Sequence, residues 1–498
     1  MSMLLIKGGH LLPLDDTDFL AASGDILVEN DQIVAVGTDL TVPTDRHVDQ
    51  IDATGKLVMP GLVNAHLHSS ENLLRGLAAG LPNELWNLRV WPPLGQSFWE
   101  PRLIYLNTLF GAMEMVRGGI TTVQDQDPAW HQSPYGDAAT SFVHAYTDLG
   151  MRANIVTDIV DRPWHTTIPG LLQKLPADLR AQLTDRHHAD HLEVRSAADA
   201  LALCEMAIQR WHGYKGLITV SVGPSALTRC SEEFLVQAGE LARAQAVPFY
   251  LHLLETRLQM LDCQQRYGGN TAEYLSSIGL LGPRTSLVHA THATDADIAL
   301  FAAAGCTVVH SPVSNLYLGS GVMPYAHMAA SGLQIAIGTD GMAATGRLSM
   351  FENMKLAATL HAVTTPDYDR WPTARQILHM ATSGSARSAG LEEQVGRLIP
   401  GMKADLILLD LNKLSFTPVN NLVNQLVYSE NGRSVETVII NGRVVMMNQK
   451  FTGIDEAALL EELRASLPDV QSTHQAAWTA SQPLFPFVDQ IYRQIWSR

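Results

Sequence analysis

Pro60-Gly61-Leu62-Val63-Asn64-Ala65-His66-Leu67-His68 is the stretch on which the reading of this chain turns. A short apolar run, Leu57 to Met59, leads into it, and two histidines with one residue between them close it. In an extended strand, residues i and i+2 point to the same face, so His66 and His68 can reach one metal ion together. Residues of ligand type recur downstream in the same setting. His252 follows Phe249-Tyr250-Leu251, His289 follows Ser286-Leu287-Val288, and Asp340 follows Ile335-Ala336-Ile337-Gly338-Thr339. The chain has 19 histidines, and any single one is ordinarily a core or surface residue. Separate apolar runs that each end in His or Asp, in the order His-x-His, His, His, Asp, point instead to a metal site built at strand ends.

On the C-terminal side of this stretch, from about 59 to 394, short apolar runs alternate with helix-length amphipathic segments. Thr121–Val123, Arg152–Val156, Ile218–Val222, Val247–Leu251, Thr285–Val288, Thr307–Val309 and Gln334–Ile337 read as strands. Glu232–Ala244 and Asp295–Ala304 read as helices, with Ser231 and Thr294 as N-caps. Repeated strand–helix units imply a parallel sheet, closed or open, and about eight of them favour a closed (β/α)8 barrel with its active residues at the C-terminal strand ends. The expected fold class is α/β: a (β/α)8 TIM barrel with a small composite β-sandwich domain built from both chain ends. Residues 1–58 supply Met3–Lys7, Asp25–Glu29 and Gln32–Val36, with an Asn30-Asp31 turn. Residues 395–454 supply Leu406–Asp410 and the hairpin Val435–Ile440, Asn441-Gly442, Arg443–Met447, whose Asn-Gly pair predicts a type I′ turn. The barrel is expected over 59–394. A helical extension over 455–498 begins with Asp455 capping Glu456–Ser466, and its last helix presents Phe485, Phe487, Ile491, Ile495 and Trp496 for packing on the barrel or on a partner subunit.

Composition restricts the function class. With 498 residues, 46% of them hydrophobic and 17% charged, the chain can bury a large core. Its net charge of −16, from 34 Lys+Arg against 50 Asp+Glu, argues against nucleic acid or an anionic membrane as partner. The N-terminus lacks the long apolar region of a signal peptide, and no stretch of about 18 apolar residues would span a membrane. Cys204, Cys230, Cys263 and Cys306 are scattered, as suits reduced thiols, and the expected location is cytoplasmic. No strand runs into Gly-x-Gly-x-x-Gly, which excludes a dinucleotide-binding oxidoreductase.

The motifs together resemble the amidohydrolase superfamily, in its branch of cyclic-amidine deaminases and triazine hydrolases. The matching stretches are Pro60 to His68, Leu73-Leu74-Arg75-Gly76, His252-Leu253-Leu254-Glu255-Thr256, His310-Ser311-Pro312-Val313-Ser314-Asn315-Leu316, Gly338-Thr339-Asp340-Gly341 and Pro400-Gly401-Met402-Lys403-Ala404-Asp405-Leu406. The resemblance implies one divalent ion on His66, His68, His252 and Asp340, with zinc preferred and iron as second choice. Imidazoles plus a carboxylate suit such an ion. Relatives with two metals carry a lysine at the end of the fourth strand. Here Lys215 precedes that strand, which favours one metal.

Chemical roles follow. Asp340 can take a proton from the attacking water. Glu255, just beyond the His252 strand, can pass a proton to a ring nitrogen and on to the leaving group. His289 can polarise the attacking oxygen. It is preferred over His292 for this role because it directly follows the apolar run. Glu84, Trp86 and Trp91 lie in the insertion after the first strand, a lid for a flat heterocycle, and His310 and Asn315 are candidate readers of ring nitrogens. Nucleoside-type relatives carry a further acid at the end of the lid. Here that place reads Pro93-Leu94-Gly95, which points to a smaller or more apolar substrate.

The expected activity is hydrolysis of a C–N bond in an aromatic nitrogen heterocycle, foremost deamination of an amino-purine, -pyrimidine, -pterin or -triazine. Loss of chloride or an alkylamine from a triazine is the alternative, followed by amide, urea or carbamate hydrolysis. A non-enzymatic assembly protein of the dihydropyrimidinase-like kind is disfavoured by the full ligand set. The expected partners are a small heterocyclic substrate and further copies of the chain in a homo-oligomer.

Overall fold

The computed structural model describes residues 2–15, 21–42, 46–95, 100–127, 136–185 and 194–496. Eight strands run parallel in chain order. Leu62–Leu67, Ile120–Asp127, Arg152–Thr157 and Ile218–Ser221 form one four-stranded sheet, and Phe249–Leu253, Thr285–His289, Thr307–His310 and Gln334–Ile337 form another. Val222 bridges to Phe249 at one seam. At the other, the Asp340 N–H donates to the His66 carbonyl at 2.9 Å and the Thr339 N–H to Asn64 Oδ1 at 2.8 Å. The two sheets therefore close into one barrel. Its strands are buried on both sides, which is why they read as unbroken apolar runs rather than as alternations.

The apolar run that leads into the first motif is not the barrel strand itself. Lys56–Pro60 is a strand of the neighbouring sheet, and the barrel strand is the motif, Leu62–Leu67. The break falls at Gly61, where a Cβ would stand 2.1 Å from the Thr121 hydroxyl. Only glycine lets the chain cross from one sheet to the other that close to the second barrel strand.

The flanking sheet draws on both chain ends. Its hydrogen-bonded order is Lys450–Phe451, Arg443–Met447, Val435–Ile440, Leu406–Asp410, Lys56–Pro60, Met3–Leu11, Ala21–Glu29, Gln32–Gly37, with Asp49–Asp52 pairing alongside Met3–Leu11. Leu406–Asp410 and Lys56–Pro60 run antiparallel, with Leu408 opposite Val58. Period-two alternation divides their side chains. Val58, Leu406 and Leu408 join a core with Ile6, Ile26, Val28 and Ile439, whereas Leu57, Met59, Ile407 and Leu409 join the barrel's core. The expected hairpin forms with positive φ at both Asn441 and Gly442, the signature of a type I′ turn.

A buried ion pair ties this sheet to the barrel. Arg152, at the start of the third barrel strand, donates from Nε to Asp405 Oδ2 at 2.7 Å and from Nη2 to Oδ1 at 3.1 Å. Both residues are 2% exposed. Arg152→Ala strands a buried carboxylate and is expected to lower the unfolding free energy by about 3–5 kcal/mol. A fall in the denaturant midpoint at unchanged slope would show it. The paired replacement Arg152→Met with Asp405→Leu should recover most of the loss, because no lone charge remains.

Glu456–Ser481 is longer than the sequence suggests, running through Pro468 to a C-terminal helix, Phe485–Trp496. The apolar side of that helix packs on the lid: Val488 and Ile491 cluster with Leu85, Leu88 and Leu94. No helix among the described residues is long and apolar enough to cross a membrane.

Candidate metal centre and active site

Three imidazoles converge at the C-terminal mouth of the barrel. His252 Nε2 stands 3.2 Å from His66 Nε2 and 3.3 Å from His68 Nε2. Asp340 Oδ1 lies 3.6 Å from His66 Nε2 and 3.9 Å from His68 Nε2. A tetrahedral ion with metal–nitrogen bonds of about 2.0–2.1 Å separates its ligand atoms by roughly 3.3 Å. The observed spacing between the imidazole nitrogens is that of such an edge.

The opposite ring nitrogens are committed elsewhere, which fixes the tautomers. His68 Nδ1–H donates to the Gln126 carbonyl at 2.8 Å, and His252 Nδ1–H to the Ser225 carbonyl at 2.6 Å. The Tyr250 hydroxyl donates to the Ala65 carbonyl at 2.7 Å and so accepts from His66 Nδ1–H at 2.9 Å. All three Nε2 atoms are thereby turned toward one point, where a metal ion or a shared proton is needed to offset the repulsion of their lone pairs. Burial, reinforced by His68 and the other imidazoles, holds His66 well below the usual histidine range and His252 down to about 3. His68 behaves otherwise. Burial lowers it, but the carboxylates of Asp340, Glu71 and Asp158 outweigh that and raise it to about 9.

Asp340 is fixed by two donors, Ser314 Oγ to Oδ2 at 2.6 Å and Gly341 N–H to Oδ1 at 2.7 Å. Burial pushes its carboxyl up, and His68 and His289 more than reverse this. Asp340 and His289 both sit at positive φ, 67° and 69°. Non-glycine residues are strained there, and such strain collects where side chains must be aimed at a site. His289 Nδ1–H donates to Asn315 Oδ1 at 2.9 Å, which leaves Nε2 facing Asp340 Oδ2 at 4.0 Å. His292 instead meets the Ser320 carbonyl at 2.8 Å and lines no part of the cavity below.

A cavity of about 180 Å³ opens over this cluster, with His68, His252, His289, Asp340 and Glu255 in its wall. The lid contributes Glu84, Trp86 and Trp91. Trp86 is 5% exposed. Its indole N–H donates to the Ala343 carbonyl at 3.2 Å, and its ring packs with Leu74, Val90 and Leu318. Only an edge of Trp86 can touch a ligand, so truncating it would unsettle the lid as well as the pocket. Trp91 is half-buried and lies against the Glu71 carboxyl. Burial raises the Glu84 carboxyl, which stands beside the Thr256 hydroxyl.

Two expected substrate contacts are displaced. His310 does not line the cavity. It lies a layer behind, its ring 5.4 Å from that of His361, and burial holds it well below the usual histidine range. Asn315 likewise faces His289 rather than the cavity. Pro93-Leu94-Gly95, where the sequence lacks an acid, does not reach the cavity wall. Leu94 is buried against the C-terminal helices, and Glu84 is the acid that the lid helix adds to the cavity wall.

The structure also adds Glu71, 3% exposed, its carboxyl raised by burial to about 8. It lines the cavity beside His68. Its signal in the sequence was its place, one short turn after the second histidine. Asn83, which touches Glu255, had no signal of its own beside the more conspicuous Glu84.

Comparison with known proteins agrees with this geometry. Residues 57–445 match the model of the amidohydrolase family. A 5′-deoxyadenosine deaminase of Methanosarcina mazei is 32% identical over 94% of this chain and 99% of its own length. A 5-methylthioadenosine/S-adenosylhomocysteine deaminase of Desulforudis audaxviator is 33% identical over 92% of this chain and 97% of its own. Among solved structures, an adenosine deaminase from Xanthomonas campestris with bound zinc superposes with a TM-score of 0.80, at 29% identity and 94% and 98% coverage. An atrazine chlorohydrolase from Arthrobacter aurescens TC1, complexed with zinc, shares the fold with a TM-score of 0.79, at 24% identity and 93% and 100% coverage. The motif-bearing strand ends, the barrel that gathers them and a family match over most of the length agree, and the chain belongs to the amidohydrolase family.

Proposed function

We propose that this chain is a metal-dependent hydrolase that deaminates an amino-substituted nitrogen heterocycle, foremost an amino-purine presented as an adenosine derivative. The observation that carries this reading is the convergence of three imidazole Nε2 atoms beneath a cavity that Glu255 and His289 also face. The barrel, entered at Gly61 rather than at 59, is the catalytic unit in this reading, with the sheet drawn from both chain ends flanking it and the helices Glu456–Ser481 and Phe485–Trp496 as the extension. His66, His68, His252 and Asp340 would hold a single divalent ion, zinc by preference, and such an ion acidifies water into a nucleophile at neutral pH.

The remaining steps belong to the side chains. Asp340, with its carboxylate held by Ser314 and Gly341, accepts a proton from the attacking water. His289 is turned by Asn315 so that Nε2 faces Asp340 at 4.0 Å, a place from which it would polarise the attacking oxygen. Burial raises the Glu255 carboxyl, which favours its proton-bearing form. It gives that proton to the ring nitrogen beside the carbon under attack. The carboxylate then takes the second proton of the attacking water and relays it to the departing amine, the proton held by Asp340 restores the acid, and the products are ammonia and a ring carbonyl. Glu84 supports a sugar on the substrate, since a carboxylate accepts hydrogen bonds from two neighbouring hydroxyls at once.

A panel of 5′-substituted adenosines, free amino-purines, pterins and chloro- or alkylamino-triazines, assayed for ammonia, amine and chloride, tests the proposal. Ammonia release from the nucleosides, with a kcat/KM above that of the free bases, is expected. Glu84→Gln should then lower kcat/KM for the nucleosides by about 10- to 100-fold, the worth of a hydrogen bond to a charged group, and leave the free bases unaffected. Chloride or alkylamine release with no ammonia from any nucleoside would assign the site to triazine hydrolysis.

A further inference from the structure

We infer that Asn83, on the lid, is a positioning residue for Glu255: its amide holds one carboxyl oxygen and leaves the other to carry the transferable proton. The inference rests on the reading of Glu255 as the proton-transferring group.

Asn83 opens the lid helix Asn83–Val90, and its backbone N–H is tied to the Leu318 carbonyl at 3.1 Å. Its side-chain Nδ2 donates to Glu255 Oε1 at 2.6 Å, across 172 positions of chain. Ser320 Oγ reaches the same oxygen at 3.4 Å. The other oxygen, Oε2, is met by Gln259 Nε2 at the longer distance of 3.3 Å, and the Gln259 carbonyl is occupied by the Glu255 backbone N–H. An amide nitrogen only donates, and a neutral carboxyl has a single proton. Both oxygens thus meet an amide donor, and the far closer one on Oε1 favours Oε2 as the oxygen that bears the proton. Without Asn83 the close donor on Oε1 is gone, and the carboxyl is free to turn.

The donor is also delivered rigidly. The lid helix is gripped from outside by the C-terminal helices, where Leu85 and Leu88 pack with Leu484, Val488 and Ile491. The Leu94 N–H donates to Ser481 Oγ at 2.9 Å, and His474 Nε2–H to the Val90 carbonyl at 3.2 Å. Asn83 thus sits on a segment pinned between the barrel and the C-terminal extension. A lid held this way can fix an acid that belongs to a different barrel loop.

The test is a double-mutant cycle on the metal-loaded, full-length enzyme, with Asn83→Ala, the near-isosteric Asn83→Asp and Glu255→Gln. Melting curves and metal content serve as controls on each variant. Asn83→Ala is expected to lower kcat on the order of 10- to 100-fold with KM changed less than about 3-fold. Asn83→Asp should be at least as impaired, since it keeps the shape but offers no donor, and it stands in if the alanine variant does not fold. On the Glu255→Gln background, Asn83→Ala should cost less than about 2-fold further, because the group it acts through is already disabled. An additive loss on that background, a change confined to KM, or an unchanged kcat in both Asn83 variants overturns the inference. If Glu255→Gln itself retains full turnover, the assignment of Glu255 fails and the inference goes with it. If Glu255→Gln is impaired while the Asn83 variants are not, the inference alone fails.

Discussion

Glu255→Gln is expected to keep its metal and to lose about 10²–10⁴-fold in turnover, the usual worth of a well-placed proton donor and acceptor. The substitution preserves shape, and the glutamine amide can still meet Asn83, Ser320 and Gln259, so the fold and lid should be undisturbed. What it removes is the exchangeable proton. Glu255 is 7% exposed, and burial raises its carboxyl above the ordinary glutamate range, with His289 working against that shift and Asp340 adding to it. Single-turnover measurement of ring conversion, set beside metal content by elemental analysis, checks the claim. A variant with near-parental turnover would make Glu255 a structural acid.

The second large effect concerns the metal. Elemental analysis is expected to find one divalent ion per chain, and a chelator should remove ion and activity together, with both restored by zinc. His66→Ala should abolish tight binding outright. His66 is fully buried, and its Nε2 lies 3.2 Å from that of His252 and 3.6 Å from Asp340 Oδ1, so losing it removes a donor from the centre of the cluster. Tyr250 loses a hydrogen-bond partner at the same time. Two ions per chain, or active protein with none, would overturn the single-metal reading. Lys215 bears on that count. It lies in the Tyr214–Gly216 turn before the fourth barrel strand, with its ammonium 4.0 Å from Asp148, at the opposite end from the histidines.

The residues of the candidate metal cluster were legible as a group because each is placed by local structure. A strand that is buried on both sides announces itself as an apolar run, and the residue that ends it is carried to the barrel mouth whatever the loops do. His66, His252 and His289 lie at the ends of such strands and His68 and Asp340 one and three residues beyond, and the helices capped by Ser231 and Thr294 were likewise set by local signals. The Asn441-Gly442 hairpin was legible for the same reason, since its turn geometry is set by two residues alone.

The cavity wall obeys no such rule. Whether His310 meets the substrate depends on which way the Thr307–His310 strand presents its last side chain, and it is packed toward His361. Trp86 was expected in a lid for a flat heterocycle; most of its ring went to packing against Leu74, Val90 and Leu318, with its indole N–H held by the Ala343 carbonyl of the short helix Met342–Thr345. Asn83 reaches Glu255, and Leu94 reaches Ser481, across separations of 172 and 387 residues that no local pattern encodes. The sequence by itself determined the barrel, the strand ends and the ligand-type residues upon them, because strand periodicity and burial are short-range properties. The tertiary structure decided which lid side chains face the cavity and how the acid is held, because those positions follow from loops and a C-terminal extension packing against one another over long separations in the chain.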